Sequence, residues 1–127
     1  MASEGVVLAI DDEPDILDNI SIRLSASGFK VLTASNGAEG VASARANSPD
    51  LILLDIMMPG MDGFETLEIL KGDVTTKSIP VVIFSCGHPD AEWARRSLNL
   101  GACGYLVKPF DGKELVNMAS RFMRSNR

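Results

Sequence analysis

The sequence is poor in residues that several classes of protein require. Its 127 residues include two cysteines and one histidine. Two cysteines are too few for a secreted disulfide framework, so Cys86 and Cys103 are expected to stay thiols in a reducing compartment. No apolar run approaches the roughly 20 residues of a membrane span, and the first ten residues lack the basic and apolar parts of a signal peptide. We therefore expect a cytoplasmic protein with no membrane segment.

Positive charge is also in short supply. Twelve Lys and Arg residues stand against 17 Asp and Glu residues, which gives a formal net charge of −5. This balance offers no general attraction to nucleic acid or to an anionic membrane, so contact with either is not expected. Cations and basic surfaces are the favoured partners. A chain of this length is expected to fold as a single domain, residues 1–127, without a disulfide or metal to hold it together.

Five short apolar segments alternate with stretches of helical spacing. Each segment is too short for a helix and shows no clean alternation, so we predict strands buried on both faces. The segments are Val6–Ile10, Val31–Ala34, Leu51–Leu54, Pro80–Phe84 and Gly104–Val107. This alternation predicts an α/β fold, a three-layer sandwich in which a five-stranded parallel sheet has helices on both faces.

Capping signals mark the predicted helix ends. An oxygen-bearing side chain three residues before a glutamate suits a helix start, and glycine suits a left-handed cap at a helix end. The predicted starts are Asn36/Glu39, Asp62/Glu65 and Asp111/Glu114, and the predicted caps are Gly28, Gly72 and Gly101. Apolar spacing also predicts that Ala38, Val41 and Ala42 of the second helix, and Ala94 and Leu98 of the fourth, face the core.

Polar side chains follow four of the five predicted strands. Asp11 and Asp12 follow the first strand, Asp55 the third, Ser85 the fourth and Lys108 the fifth. The carboxyl ends of parallel strands meet at one edge of a sheet, where open α/β folds place their functional crevice. Three carboxylates so close together require a cation, and oxygen ligands favour Mg²⁺. Zinc is not expected, because His88 is the single histidine and is read as a solvated loop residue.

This predicted edge suits phosphoryl transfer, which depends mainly on positioning and charge neutralisation. The Lys108 ammonium and the Ser85 hydroxyl would contact phosphoryl oxygens beside the metal. A carboxylate in such a ring can act as the nucleophile and form an acyl phosphate. Asp55 is the candidate for that role.

Three stretches of the sequence resemble the receiver domain of bacterial two-component response regulators. They are Ala9-Ile10-Asp11-Asp12-Glu13, the run from Leu51 through Asp55 to Gly63, and Tyr105-Leu106-Val107-Lys108-Pro109-Phe110. All three occur in order and at βα spacing, which makes the resemblance specific. It implies a flavodoxin-like (βα)5 fold with strand order 2-1-3-4-5.

The resemblance also implies a role for individual residues. Asp55 would be the phosphoacceptor and a metal ligand, Asp12 a direct Mg²⁺ ligand, Asp11 a ligand through water and the Met57 carbonyl a further ligand. Lys108 would hold the phosphoryl group. Ser85 and Tyr105 match the switch pair of the family, and the peptide bond before Pro109 would be cis. Two positions depart from the usual pattern: Ser85 replaces the commoner Thr, and Cys86 replaces a small Ala or Gly.

By the same resemblance, the donor would be a histidine kinase or a histidine phosphotransfer protein. The recipient would be an effector protein or a fused output domain, and a dimer formed on phosphorylation is one outcome that the family allows. The protein would assist its own phosphorylation and dephosphorylation without being an enzyme in the usual sense.

Two alternatives remain open at this point. A degenerate receiver would act as an interaction module without phosphorylation, although Asp12, Asp55, Ser85 and Lys108 are all intact. A Mg²⁺-dependent phosphohydrolase would use Asp55 as its nucleophile, but Met57 stands where such enzymes usually carry a second Asp.

Overall fold

The computed structural model describes residues 5–56, 63–86, 91–108 and 110–123, with the backbone alone at residues 86 and 91–94. Five strands alternate with five helices along these residues. In chain order they are β1 (Val6–Ile10), α1 (Pro14–Ala26), β2 (Lys30–Ala34), α2 (Gly37–Asn47), β3 (Leu51–Asp55), α3 (Gly63–Gly72), β4 (Val81–Cys86), α4 (Ala91–Asn99), β5 (Gly104–Lys108) and α5 (Gly112–Phe122). No helix among the described residues is both long enough and apolar enough to cross a lipid bilayer.

The five strands form one parallel sheet in the order β2-β1-β3-β4-β5. This confirms the predicted α/β sandwich and its strand order. The prediction that every strand is buried on both faces is right for β3, which is buried throughout, and wrong for the edge strands β2 and β5. An edge strand has a neighbour on one side only, so the covering helices reach it less completely.

Successive residues along each strand point to opposite faces, and this alternation divides the core in two. On one face, Val7, Leu53 and Phe84 pack with side chains of α1 and α5. On the other face, Leu54 and Ile83 pack with side chains of α2 and α3. We call these the α1/α5 face and the α2/α3 face. Each fully buried Leu, Ile or Phe contributes about 1.5–3 kcal/mol relative to an exposed one, so both faces stabilise the sheet strongly.

Most of the predicted helix ends are confirmed. The Asn36 side chain accepts a hydrogen bond from the Glu39 amide at 2.8 Å, and Asp111 forms a reciprocal capping box with Glu114. Gly28 and Gly101 have φ angles of 98° and 106°, which suit glycine. Asp62 lies outside the described residues.

The predicted left-handed cap at Gly72 is wrong, because Gly72 is the last residue of α3 and does not have a positive φ. The sequence also gave no signal for Ser48. This residue closes α2 in the left-handed conformation, with a φ of 45°, immediately before Pro49.

Two helices turn a different face to the core from the one predicted. In α2, Val41 is buried as predicted, but Ala38 and Ala42 are exposed, and Gly37, Gly40 and Ala44 are buried instead. A Cβ on Gly40 would lie 2.4 Å from Ile10 Cδ1, so the glycine lets α2 approach β1 closely. In α4, Leu98 is 51% exposed and Ser97 is buried. The side chain of Ala94 lies outside the described part of the chain.

Candidate functional site

Strand pairing aligns the polar residues at one edge of the sheet. Asp11 directly follows β1, Asp55 ends β3 and Lys108 ends β5. In the sheet register Asp55 pairs with Phe84, and Lys108 pairs with residue 86. Asp11, Asp55 and Lys108 therefore meet although they are far apart in sequence.

The carboxylates of Asp11, Asp12 and Asp55 form one cluster. Each offers an oxygen, and these oxygens all lie within 4.8 Å of one another. Asp11 and Asp55 are buried and Asp12 is exposed, so the cluster is open to solvent on one side. Clustered carboxylate oxygens that keep access to water suit Mg²⁺, which binds few protein ligands and retains several waters. The donor set therefore fits this metal.

The Lys108 ammonium sits among these acidic groups. Its Nζ lies 3.0 Å from Asp11 Oδ2, 3.4 Å from Glu13 Oε1 and 3.5 Å from Asp55 Oδ2. The Lys108 side chain is only 8% exposed, so these attractions are weakly screened by water. Among the described residues, one ammonium faces four carboxylates here, counting Asp12, and this balance is negative, so a divalent cation would reduce it.

Asp11 is oriented through both of its carboxylate oxygens. Oδ1 accepts a hydrogen bond from the Glu13 amide at 2.9 Å, and Oδ2 accepts one from Lys108 Nζ. The Asp11 amide donates to the Ala34 carbonyl at 3.1 Å, which ties the end of β1 to the end of β2. This carboxylate is therefore held by the N-cap of α1 on one side and by the end of β5 on the other.

Gly63 contributes to the site without a side chain, and the sequence reasoning missed this role. A Cβ added there would lie 2.3 Å from Ile56 Cα and 2.6 Å from the Asp55 carbonyl oxygen. The Gly63 amide also donates to the Ile56 carbonyl at 3.1 Å. The first residue of α3 thus packs directly on the backbone that carries Asp55. Its place at the start of the helix after Asp55 is a signal that could have been used.

Ser85 and Tyr105 lie on the opposite face of the sheet from Asp55 and Lys108. Residues 81 and 83 pack on the α2/α3 face, and the alternation along β4 assigns Ser85 to that face too. Tyr105 pairs with Ile83 in the register. Ser85 is buried, whereas Tyr105 is 41% exposed. Met57 and Pro109, the remaining predicted site positions, lie outside the described residues.

The sequence profile described as "Response regulator receiver domain" matches residues 7–120. The chain belongs to this family. Receiver domains are signalling domains and are not classed as conventional enzymes. The acidic cluster beside Lys108 occupies the edge of the sheet that the ends of the predicted strands indicated.

Similar proteins agree with this assignment. The chain is 38% identical to protein PilH of Pseudomonas aeruginosa over 112 residues, which cover 87% of this chain and 90% of PilH. It is 36% identical to the transcriptional regulatory protein KdpE of Mycobacterium tuberculosis, covering 95% of this chain and 52% of KdpE. Among solved structures, chemotaxis protein CheY4 of Vibrio cholerae superposes with a TM-score of 0.90 and 32% identity, covering 96% of this chain and all of that one. The receiver domain thus spans nearly all of PilH and about half of KdpE.

Cys103 of this receiver domain is a free thiol, as predicted, and lies away from the acidic cluster. It precedes β5, at the opposite end of that strand from Lys108. Burial raises the pKa of the Cys103 thiol and lowers the pKa of the nearby Lys71 ammonium. Lys71 Nζ donates to the carbonyls of Lys77 and Ile79 at 3.0 and 2.7 Å, so this lysine fastens the segment before β4. The side chain of Cys86 lies outside the described part of the structure.

Proposed function

We propose that this receiver domain accepts a phosphoryl group on Asp55 in a Mg²⁺-dependent reaction and relays the event through a changed interaction surface. The observation that carries the proposal is the position of Asp55: a buried carboxylate within 4.8 Å of two further carboxylates and 3.5 Å from an ammonium. The buried neighbours hold the nucleophile, and the exposed side of the cluster leaves it accessible.

Each polar group has a part in the transfer. An Asp55 oxygen attacks the phosphorus atom of a phosphohistidine, the P–N bond breaks and its electron pair leaves with the imidazole, which takes up a proton. Lys108 neutralises charge on the phosphoryl oxygens, and Asp11, Asp12 and Asp55 would hold Mg²⁺ together with the Met57 carbonyl. When bound, the metal would supply the positive charge that lets a phosphoryl group approach an acidic site.

Ser85 and Tyr105 are the proposed switch. Ser85 lies beside Phe84, the register partner of Asp55, so its hydroxyl is close to the edge of the sheet where the phosphoryl group would arrive. A hydroxyl drawn toward that group leaves space on the α2/α3 face. Tyr105 is half exposed on the same face and can turn into that space. The change would be a shift between two populated states of the β5 and α4 surface.

We propose a histidine kinase or histidine phosphotransfer protein in the cytoplasm as the donor. The recipient is either a separate effector protein or a fused output domain. The near-complete match to PilH favours the first, whereas the half-length match to KdpE favours the second. In either case, the proposal assigns residues 1–127 to one receiver domain.

The test is phosphorylation by a small acyl phosphate, read as a gain of one phosphoryl mass on the intact protein. We expect labelling of the unmodified chain with Mg²⁺, and loss of labelling in Asp55→Asn or after chelation. Asp15→Asn is the matched control, because Asp15 is exposed in the first turn of α1. Equal labelling of Asp55→Asn would overturn the assignment, and no labelling at all would favour the degenerate receiver.

A further inference from the structure

The Lys108 ammonium is pulled toward several carboxylates at once. Asp11 is the nearest at 3.0 Å, and Glu13 and Asp55 lie at 3.4 and 3.5 Å. The Glu13 side chain is 59% exposed and can draw the ammonium toward solvent. Under the proposed function, Lys108 has to stay beside Asp55 to meet the phosphoryl oxygens. The carboxylates alone do not favour that position, because Asp11 is closer.

A phenylalanine ring lies close to Lys108, on the strand that neighbours Asp55. The Phe84 ring centroid is 5.1 Å from Lys108 Nζ, within the range of a cation–π interaction. Phe84 is fully buried and pairs with Asp55 across β3 and β4. Its attraction therefore acts from the Asp55 side of the site, and as an uncharged group it does not compete for Mg²⁺.

A second ring fixes the orientation of the first. The Phe110 ring meets the Phe84 ring edge to face, with centroids 6.0 Å apart and an interplanar angle of 89°. Aromatic pairs favour this geometry. Phe110 follows β5 shortly after Lys108. The same segment therefore carries both the ammonium and the ring that packs against Phe84.

We propose that Phe84 is a positioning residue that holds the Lys108 ammonium on the Asp55 side of the acidic cluster through the face of its ring. This role rests on the proposed function and adds a residue to it. A purely structural Phe84 would depend on the volume of the ring, whereas a positioning Phe84 depends on the negative electrostatic potential of the ring face.

Fluorinated phenylalanines at position 84 separate these two roles. One, two or three fluorine atoms on the ring weaken its attraction for a cation stepwise and change its volume little. With saturating Mg²⁺ and a small acyl phosphate, we expect the rate of Asp55 phosphorylation to fall stepwise, by roughly three- to tenfold for the trifluoro ring. The same series at Phe29, which is buried in the same face of the core, is the matched control and should leave the rate unchanged.

A spectroscopic measurement on the metal-free protein gives a second readout. The ε-methylene protons of Lys108 should show an upfield ring-current shift, which Phe84→Leu removes and Phe29→Leu does not. Phe110→Leu should reduce the shift only in part, because the Phe84 ring is still present and only its orientation is loosened.

The outcomes distinguish this inference from the proposed function. A stepwise loss of rate together with the ring-current shift supports the role of Phe84. A normally labelled protein with a flat fluorine series, or with no ring-current shift at Lys108, overturns the role of Phe84 and leaves Asp55 as the acceptor. An unmodified protein that cannot be labelled overturns the proposed function first.

Discussion

The two faces of the sheet differ in how deeply they bury the residues that lead to the functional edge. On the α1/α5 face, Asp11 and Asp55 are buried and Lys108 is nearly so, and the Phe84 ring is fully buried. On the α2/α3 face, the path from Ser85 to α4 runs through the edge strand β5, where Tyr105 is 41% exposed, and reaches a helix on which Leu98 is 51% exposed.

This difference matches the different tasks proposed for the two faces. A group that attacks phosphorus gains from a fixed position, because orientation lowers the barrier of transfer. A surface that changes on phosphorylation must have two states close in free energy, so dense packing would work against it. The proposed phosphoacceptor thus has closely packed surroundings, and the proposed switch surface is more loosely packed.

The strongest test of this contrast is a matched pair of leucine truncations. Leu53 in β3 is fully buried on the α1/α5 face, and Leu98 in α4 is half exposed. Leu53→Ala should lower the free energy of unfolding by about 2–5 kcal/mol, because it removes packed methyl groups and leaves a cavity. Leu98→Ala should stay within about 0.5 kcal/mol. Urea unfolding measures both, and equal losses would contradict the difference in packing.

A second pair uses the two glycines at the ends of α3. A Cβ on Gly63 would press on the backbone of Asp55 and Ile56, whereas a Cβ on Gly72 would meet nothing within 4 Å. Gly63→Ala should cost about 1–3 kcal/mol through overpacking. It should also slow labelling of Asp55 in protein that remains folded.

Gly72→Ala is the control for this pair and should be neutral or slightly stabilising, because alanine favours a helix. Urea unfolding curves and Asp55 labelling rates, measured for both variants, test whether the two glycines differ in this way. If Gly63→Ala kept both stability and rate, the acceptor backbone would not depend on the start of α3.

The third prediction addresses the switch alone. Ser85→Ala should still be phosphorylated at Asp55, because the carboxylates and Lys108 remain in place. It should transmit the event weakly, because no hydroxyl moves toward the phosphoryl group. Amide chemical shifts of α4, β5 and α5, compared before and after phosphorylation in both proteins, measure the response. An undiminished response in Ser85→Ala would remove this residue from the switch.

The smallest effect is expected at Asp73, which lies in neither region. Hydrogen bonds from the Thr75 hydroxyl and amide, followed by one from Arg45, lower the pKa of Asp73 to about 2 from the ordinary value of 3.8. A carboxyl with a depressed folded pKa stabilises the protein above its unfolded pKa and loses that contribution as the pH falls toward the folded value.

Asp73→Asn should therefore reduce the stability difference between pH 6 and pH 2 only slightly, with the change falling between about pH 3.8 and pH 2. Unfolding measured across this range, with Asp15→Asn as the exposed control, tests the assignment. A change centred at higher pH would point to another carboxyl.

Much of the fold and the polar part of the site could be predicted from the sequence. Buried parallel strands are continuous apolar runs, so β1 is predicted to the residue and the other strands to within two. The acidic residues and Lys108 follow these runs directly, and the ends of parallel strands coincide in space. Asp11, Asp55 and Lys108 could thus be brought together without coordinates.

The parts that could not be predicted depend on distances between remote residues. The sequence marks Gly63 as the start of the helix after Asp55, but only the fold shows that a Cβ there would press on the Asp55 backbone, whereas one at Gly72 would meet nothing within 4 Å. Phe84 looks like any core residue until the fold brings Lys108 over its ring. In α4 the apolar spacing favoured Leu98, but Ser97 is the buried residue, so the helix pattern alone does not decide which face turns inward.

The bond between Lys108 and Asp11 has a further consequence for how the protein is made. Its partners are separated by 97 positions, and β5, which carries Lys108, follows the other four described strands in sequence. A ribosome makes Asp11 early and Lys108 late, so a nascent chain has its carboxylates before it has the ammonium that balances them. Under the proposed function, chemical competence at Asp55 would arrive only once β5 has been made, and the ability to be phosphorylated would report that synthesis and folding have reached that strand.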